Sequence, residues 1–292
     1  MKAFDRFNPI TVFVYFAFAA GIAMFSMDPV LLGLSMLGAV LLFCLRTEQR
    51  QTRTHLFSLF LFVTLTVINP LFQHNGVTVL FVLNDNPVTL EALLYGANAA
   101  GMIVGVLYWF RSFSDIITSD KLLYLFGSIS SKLALMVSMA LRYVPLFRRQ
   151  ARKTDAAQRV LGQYRNDNVI DSIRVKLSVF SIVVSWALEN GIVTADSMAA
   201  RGYGLKKRSF FSLYRFGRKD FALLLCVLVA GGLTALLMGR GALDFAFYPR
   251  LTALTLSPER IAAYIAYGLL ALLPSAIEIG DSIKWQYLRS GT

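Results

Sequence analysis

Residues 92–110 read ALLYGANAAGMIVGVLYWF, nineteen positions without a charged side chain. A run of about 20 apolar residues, wound as a helix, crosses the hydrocarbon core of a bilayer. Lipid offers backbone N–H and C=O groups no water to bond, so they must bond within their own segment, and helix is the expected conformation. Residues 56–83 also lack Asp, Glu, Lys and Arg. Working outward, apolar segments recur at 10–27, 30–45, 56–72, 90–110, 221–238 and 261–277. The expected fold is therefore all-α: a polytopic membrane helix bundle of about six transmembrane helices. Composition agrees, because only 16% of residues are charged, where a soluble domain carries about 25%. Asp28-Pro29 separates the first two segments and predicts a tight turn between antiparallel helices. The opening MKAFDRFNPI is basic but leads to no small-residue cleavage site, so the first segment reads as a retained helix.

The net charge is +12, from 29 Lys and Arg against 17 Asp and Glu. Nucleic acid is one partner for a basic chain, but the distribution argues for a membrane. With both termini inside, 26 of the Lys and Arg residues fall on the inner side, and only Arg240, Arg250 and Arg260 fall outside. That bias is the positive-inside pattern. It predicts a multi-pass protein of the cytoplasmic membrane with N- and C-termini in the cytosol, and no nucleic-acid partner. Three regions follow: about four spans in 1–111, a cytosolic segment in 112–219, and about two spans in 220–292.

The cytosolic assignment of 112–219 is a charge argument. Apolar stretches at 133–147 and 175–188 are about 14–15 residues long, in the range of interfacial or buried helices. If both crossed, Arg148, Arg149, Arg152, Lys153, Arg159 and Arg165 would lie outside. Both are therefore expected to stay on the cytosolic side, partly in the interface. Each begins apolar and ends small and polar near a glycine. Pro145 is expected to kink or split the first helix. GQYRNDN at 162–168 reads as a loop, Asp171 as an N-cap for the second helix, and Gly191 as a weak point within it.

The sharpest local signal is AARGYG at 199–204. Gly202 or Gly204 can adopt the left-handed conformation that ends a helix. Arg201 then sits on the last turn, where the helix dipole favours a cation. The small Ala199 and Ala200 leave its guanidinium free to enter a groove and fork onto a carboxylate. An ordinary helix end with a solvated arginine is the alternative. The earlier helix ends comparably, at AQRVLG in 157–162.

Four stretches together resemble the transmembrane T component of energy-coupling-factor (ECF) transporters, the family of cobalt- and biotin-type importer subunits. They are NPLFQHNG at 69–76, VTLEALLYG at 88–96, LRYVPLFRRQARKTDAAQRVLG at 141–162 and ADSMAARGYG at 195–204, of which the last two are the more specific. The resemblance implies two long cytosolic coupling helices, each ending in an Ala-Arg-Gly-like motif that docks in a groove of one ABC-type ATPase. It implies a membrane-embedded substrate-binding S component as a further partner, besides the lipid bilayer. ATP-driven closure of the ATPases would move the coupling helices and tip the S component, delivering a vitamin or transition metal. By this resemblance Ala200, Arg201 and Gly202 form the second ATPase contact. The first departs from the pattern: Leu161 stands where the family places arginine, before Gly162. Arg159 is the nearest substitute, and Leu161 can instead make an apolar contact. Two unequal contacts would suit two different ATPases.

The remaining residues suggest no independent chemistry. Cys44 and Cys226 lie in apolar runs and read as core thiols. His55 and His74 are isolated, read as solvated or capping, and make no metal site. Glu278 can pair with Lys284 or Arg260. Tyr108, Trp109 and Trp285 read as interfacial or packing aromatics. No charge sits at the centre of a span, which disfavours a self-contained ion pump. No GxxxxGK[ST] occurs, so an ATPase would have to be another chain. The expectation is a non-catalytic subunit without cofactor or metal. A conventional ABC permease lining its own substrate path would need polar spans. A membrane-embedded enzyme would need clustered acids or histidines at the membrane face.

Overall fold

A computed structural model describes residues 3–46, 52–73, 76–83, 86–162, 169–204, 214–248, 251–253 and 255–290. After a 3-10 turn at Ala3–Arg6, the helices are α1 (Pro9–Phe25), α2 (Pro29–Arg46), α3 (Thr52–Phe72), α4 (Leu90–Ile116), α5 (Ser119–Ile129), α6 (Ser131–Val160), α7 (Val169–Ala200), α8 (Arg218–Gly239) and α9 (Pro258–Ser290). The chain divides into two compact units: Met1–Leu122 with Tyr214–Thr292, and Leu123–Leu213.

The first unit is an all-α membrane bundle. Within it α3 packs on α4, α4 on α2, α2 on α9, α9 on α8 and α8 on α1, and α1 returns to α4. The core where these meet holds Tyr15 and Phe16 of α1, Phe43 of α2, Trp109 of α4, Val227 of α8 and Tyr267 of α9. Two glycines set how closely helices approach. A Cβ on Gly38 of α2 would lie 2.8 Å from the Cβ and carbonyl oxygen of Ala271 in α9. One on Gly96 of α4 would lie 2.9 Å from the Asn69 Cβ of α3, and there Asn69 Nδ2 also donates to the Ala92 carbonyl at 3.0 Å. That contact joins two of the sequence stretches singled out above.

Helix starts follow cap chemistry. Asn8 Oδ1 accepts from the Ile10 amide at 3.0 Å, with Pro9 as the first helical residue. Asp28 Oδ1 accepts from the amides of Val30 and Leu31 at 2.9 and 3.2 Å, so the expected turn before α2 is built by its own carboxylate. Asp28 is fully buried, and its Oδ2 accepts from Tyr264 at 2.7 Å beside Arg260 at 3.7 Å.

By length and composition six helices among the described residues can cross a membrane: α2, α3, α4, α8, α9 and the Asp171–Ala200 part of α7. The set differs from the expected one at two places. At 17 residues, α1 is at the short end of span lengths, although it packs in the core. The helix containing 175–188 is much longer than that apolar stretch, because 32 residues wind continuously. Its length alone thus admits a crossing, and the basic C-terminal half of α6 before it is the argument against one.

Several local expectations are corrected. α6 is not split at Pro145 but continues through it. Asp171 lies in the first turn of α7, two residues inside its start, and is not the N-cap. Cys44 and Cys226 are exposed on the bundle surface and are not core thiols. His55 is half-buried, with Nδ1 2.8 Å from the Tyr108 hydroxyl and its ring edge-on to Phe43, so it is neither solvated nor a cap. Of the two readings of Tyr108 and Trp109, packing holds: both are buried, and Trp109 donates to Ser35 Oγ at 3.0 Å. Glu278 pairs with neither Lys284 nor Arg260. Its partner is Arg46 at 2.7 Å, and Arg46 also holds Asp5 at 2.6 Å. A short antiparallel hairpin, β1 (Val79–Leu83) with β2 (Asn86–Thr89), precedes α4, where no strand was expected. Its signal in the sequence was the β-branched VTV at 77–79, with Asn84-Asp85 further on. His74 lies outside the described residues.

Candidate functional site

All six residues singled out for partner contact lie in the second unit, at the ends of α6 and α7. The helices pack against each other. Tyr143 of α6 and Thr194 of α7 share a hydroxyl–hydroxyl hydrogen bond at 2.9 Å. Phe147, stacked on Tyr143, meets Trp186 edge-on with ring centroids 6.2 Å apart. Moving forward along α6 from Tyr143 to Phe147 means moving backward along α7 from Thr194 to Trp186, so the pair is antiparallel. The two C-terminal tips therefore extend in opposite directions from the contact. At about 1.5 Å per residue, Leu161 lies roughly 27 Å beyond Tyr143, and Arg201 roughly 10 Å beyond Thr194.

The end of α7 is a complete Schellman motif. The Gly202 amide donates to the Ala199 carbonyl at 3.0 Å and the Tyr203 amide to the Met198 carbonyl at 2.9 Å. Gly202 has φ 79°, in the left-handed region that favours glycine. Arg201 is thereby the C-cap residue. It is exposed, and among the described residues no ion pair or hydrogen bond engages its side chain. Ala200 beside it is exposed as well.

The end of α6 repeats the geometry with different chemistry. Gly162 has φ 71° and its amide donates to the Arg159 carbonyl at 3.1 Å. Leu161 is the C-cap residue. Val160 and Leu161 are 88% and 71% exposed, so this tip presents bare aliphatic surface. Arg159 is two residues back, and its Nε donates to Asp155 Oδ2 one turn earlier at 3.1 Å. The side chain is thus turned back along the helix, away from the tip.

Chemically, one tip offers an unengaged fork of donors and the other an apolar knob. No cluster of His, Cys, Asp or Glu able to hold a metal exists among the described residues. No protein-family model matches this chain, and no curated protein matches it either.

Proposed function

We propose that this chain is the coupling subunit of an ECF-type ABC importer in the cytoplasmic membrane, with both termini and the α6–α7 pair in the cytosol. The observation carrying the proposal is the pair of matched helix ends, Leu161-Gly162 and Arg201-Gly202, each a C-cap residue exposed before a left-handed glycine. Opposed tips on one antiparallel pair suit two separate partners better than one. The partners are two ABC-type ATPases, which supply the nucleotide chemistry this chain lacks.

In this reading Arg201 forks onto a carboxylate in one ATPase groove, and Val160 with Leu161 fills an apolar recess in the other. Ala200 keeps the approach to Arg201 open. The left-handed glycines stop each helix at the tip, so no further turn blocks the groove. When the ATPases close, force enters at the tips. The Tyr143–Thr194 and Phe147–Trp186 contacts hold α6 to α7, so the pair responds as a lever. A membrane-embedded substrate-binding S component receives that motion and delivers a vitamin or transition metal. The chain itself is non-catalytic and carries no cofactor.

The test is co-purification of the full chain with a pair of ABC ATPases and an S component expressed together. Arg201→Glu combined with Leu161→Asp is expected to release both ATPases while the chain stays folded in the membrane. A complex that survives the double variant intact rejects the proposal.

A further inference from the structure

The end of the first unit where α8 begins carries a second feature, independent of the helix tips. A cleft of about 500 Å³ opens there between the start of the chain, the start of α8 and the late part of α9. Arg6, Arg218, Lys219 and Lys284 line it. These four cations come from three separated parts of the sequence, and all are exposed. Among the described residues none of them has an ion-pair or hydrogen-bond partner.

The neighbouring acids do not neutralise them. Asp220 is 8% exposed and both its oxygens are committed: Oδ1 accepts from the Asn8 amide at 2.7 Å and Oδ2 from the Gly217 amide at 2.9 Å. Asp281 is the other carboxylate of the lining. Two acids against four bases leave the cleft positive. Phe7 and Ile277 add apolar surface to its wall. The charge-free run of α8 begins at Phe221 and that of α9 ends at Ile277. The cations therefore stand just past the ends of membrane-crossing segments, at the depth of lipid headgroups.

We propose that this cleft binds a phosphate-bearing anion, the headgroup phosphodiester of an acidic phospholipid or free phosphate. Four unpaired cations over an apolar wall match a phosphate joined to acyl chains. Basic recesses between membrane helices hold anionic headgroups by this combination. Gly280 supplies a steric handle, since a Cβ there meets nothing within 4 Å and a larger side chain would occupy the cleft without displacing the helix.

The experiment uses the delipidated full chain in neutral detergent, with phosphatidylglycerol, phosphatidylcholine and inorganic phosphate as probes and native mass spectrometry as readout. Phosphatidylglycerol is expected to bind more tightly than phosphatidylcholine. Arg6→Gln with Lys284→Gln should weaken it by about thirtyfold. Gly280→Phe, which changes no charge, should weaken it too, while Arg240→Gln at the other end of α8 should not. Displacement of bound phosphatidylglycerol by inorganic phosphate would support the site and make free anion its occupant. Resistance to displacement would support it and make the lipid the occupant. Equal binding of the two lipids overturns the proposal. So does a loss in Arg240→Gln matching that of the double variant, or unchanged binding in both cleft variants.

Discussion

Leu161 and Arg201 occupy the same place on two different helices: each is the residue just before a glycine in the left-handed region, at φ 71° for Gly162 and 79° for Gly202. The backbone treats the two positions alike while the side chains differ completely. A guanidinium seeks a carboxylate and a leucine seeks a dry pocket, so under the proposed function the two tips require unlike grooves.

That asymmetry has a measurable form. Arg201→Ala should weaken capture of one ATPase by about 2–5 kcal/mol, as for an arginine paired in a buried groove. Arg159→Ala should change capture by less than about 1 kcal/mol, because that side chain is spent on an exposed pair with Asp155. Titrating each variant against the separate ATPases checks this. Equal losses from the two arginines would return Arg159 to the contact and remove the apolar role of Leu161.

The glycine after Arg201 is expected to matter for a backbone reason. A non-glycine residue in the left-handed region costs about 1–2 kcal/mol. Gly202→Ala should therefore loosen the 2.9 Å bond from the Tyr203 amide to Met198 and fray the last turn. Hydrogen exchange at Tyr203 reports it directly. Gly202→Asn should exchange more slowly than Gly202→Ala, since asparagine tolerates this conformation.

Arg46 joins three parts of the bundle through two ion pairs. Its side chain is 7% exposed and holds Asp5 and Glu278, which are 21% and 6% exposed. Arg46→Ala strands a buried carboxylate and should lower stability by about 3–5 kcal/mol. Thermal unfolding in detergent, compared with Arg53→Ala at an exposed position, separates this from a general effect of charge removal.

Lys121 makes a pH prediction. Burial pushes its ammonium below the ordinary lysine value of 10.5, with Asp5 pulling the other way and Arg46 adding to the depression. A lysine depressed in the folded state binds fewer protons there than when unfolded, so stability must rise with pH across the interval between the two values. The upper end of that interval is the ordinary value of 10.5. The unfolding midpoint of the native chain should gain relative to Lys121→Met as pH climbs through it. A midpoint difference that stays flat or shrinks there would contradict the burial cause.

Much of the architecture was legible because a bilayer imposes a local rule. Every backbone group in lipid bonds within its own segment, so uninterrupted apolar stretches announce helices. The tips were legible for a similar reason: Gly202 and Gly162 end helices through bonds spanning only three to five residues. The hairpin at Val79–Leu83 and Asn86–Thr89 was missed because its β-branched residues sit inside a longer apolar, charge-free stretch.

Sequence alone determined the class of fold, five of the six helices long and apolar enough to cross a membrane, and the two helix ends; the full length of α7 it did not give. Tertiary structure decided which side of each helix faces protein. It exposed Cys44 and Cys226, buried Tyr108 against His55, and joined Arg46 to Glu278 across 232 positions. In water, polarity tells the buried face of a helix from the open one. Here lipid and protein core are both apolar, so the residues carry no contrast to read, and only packing chooses between them.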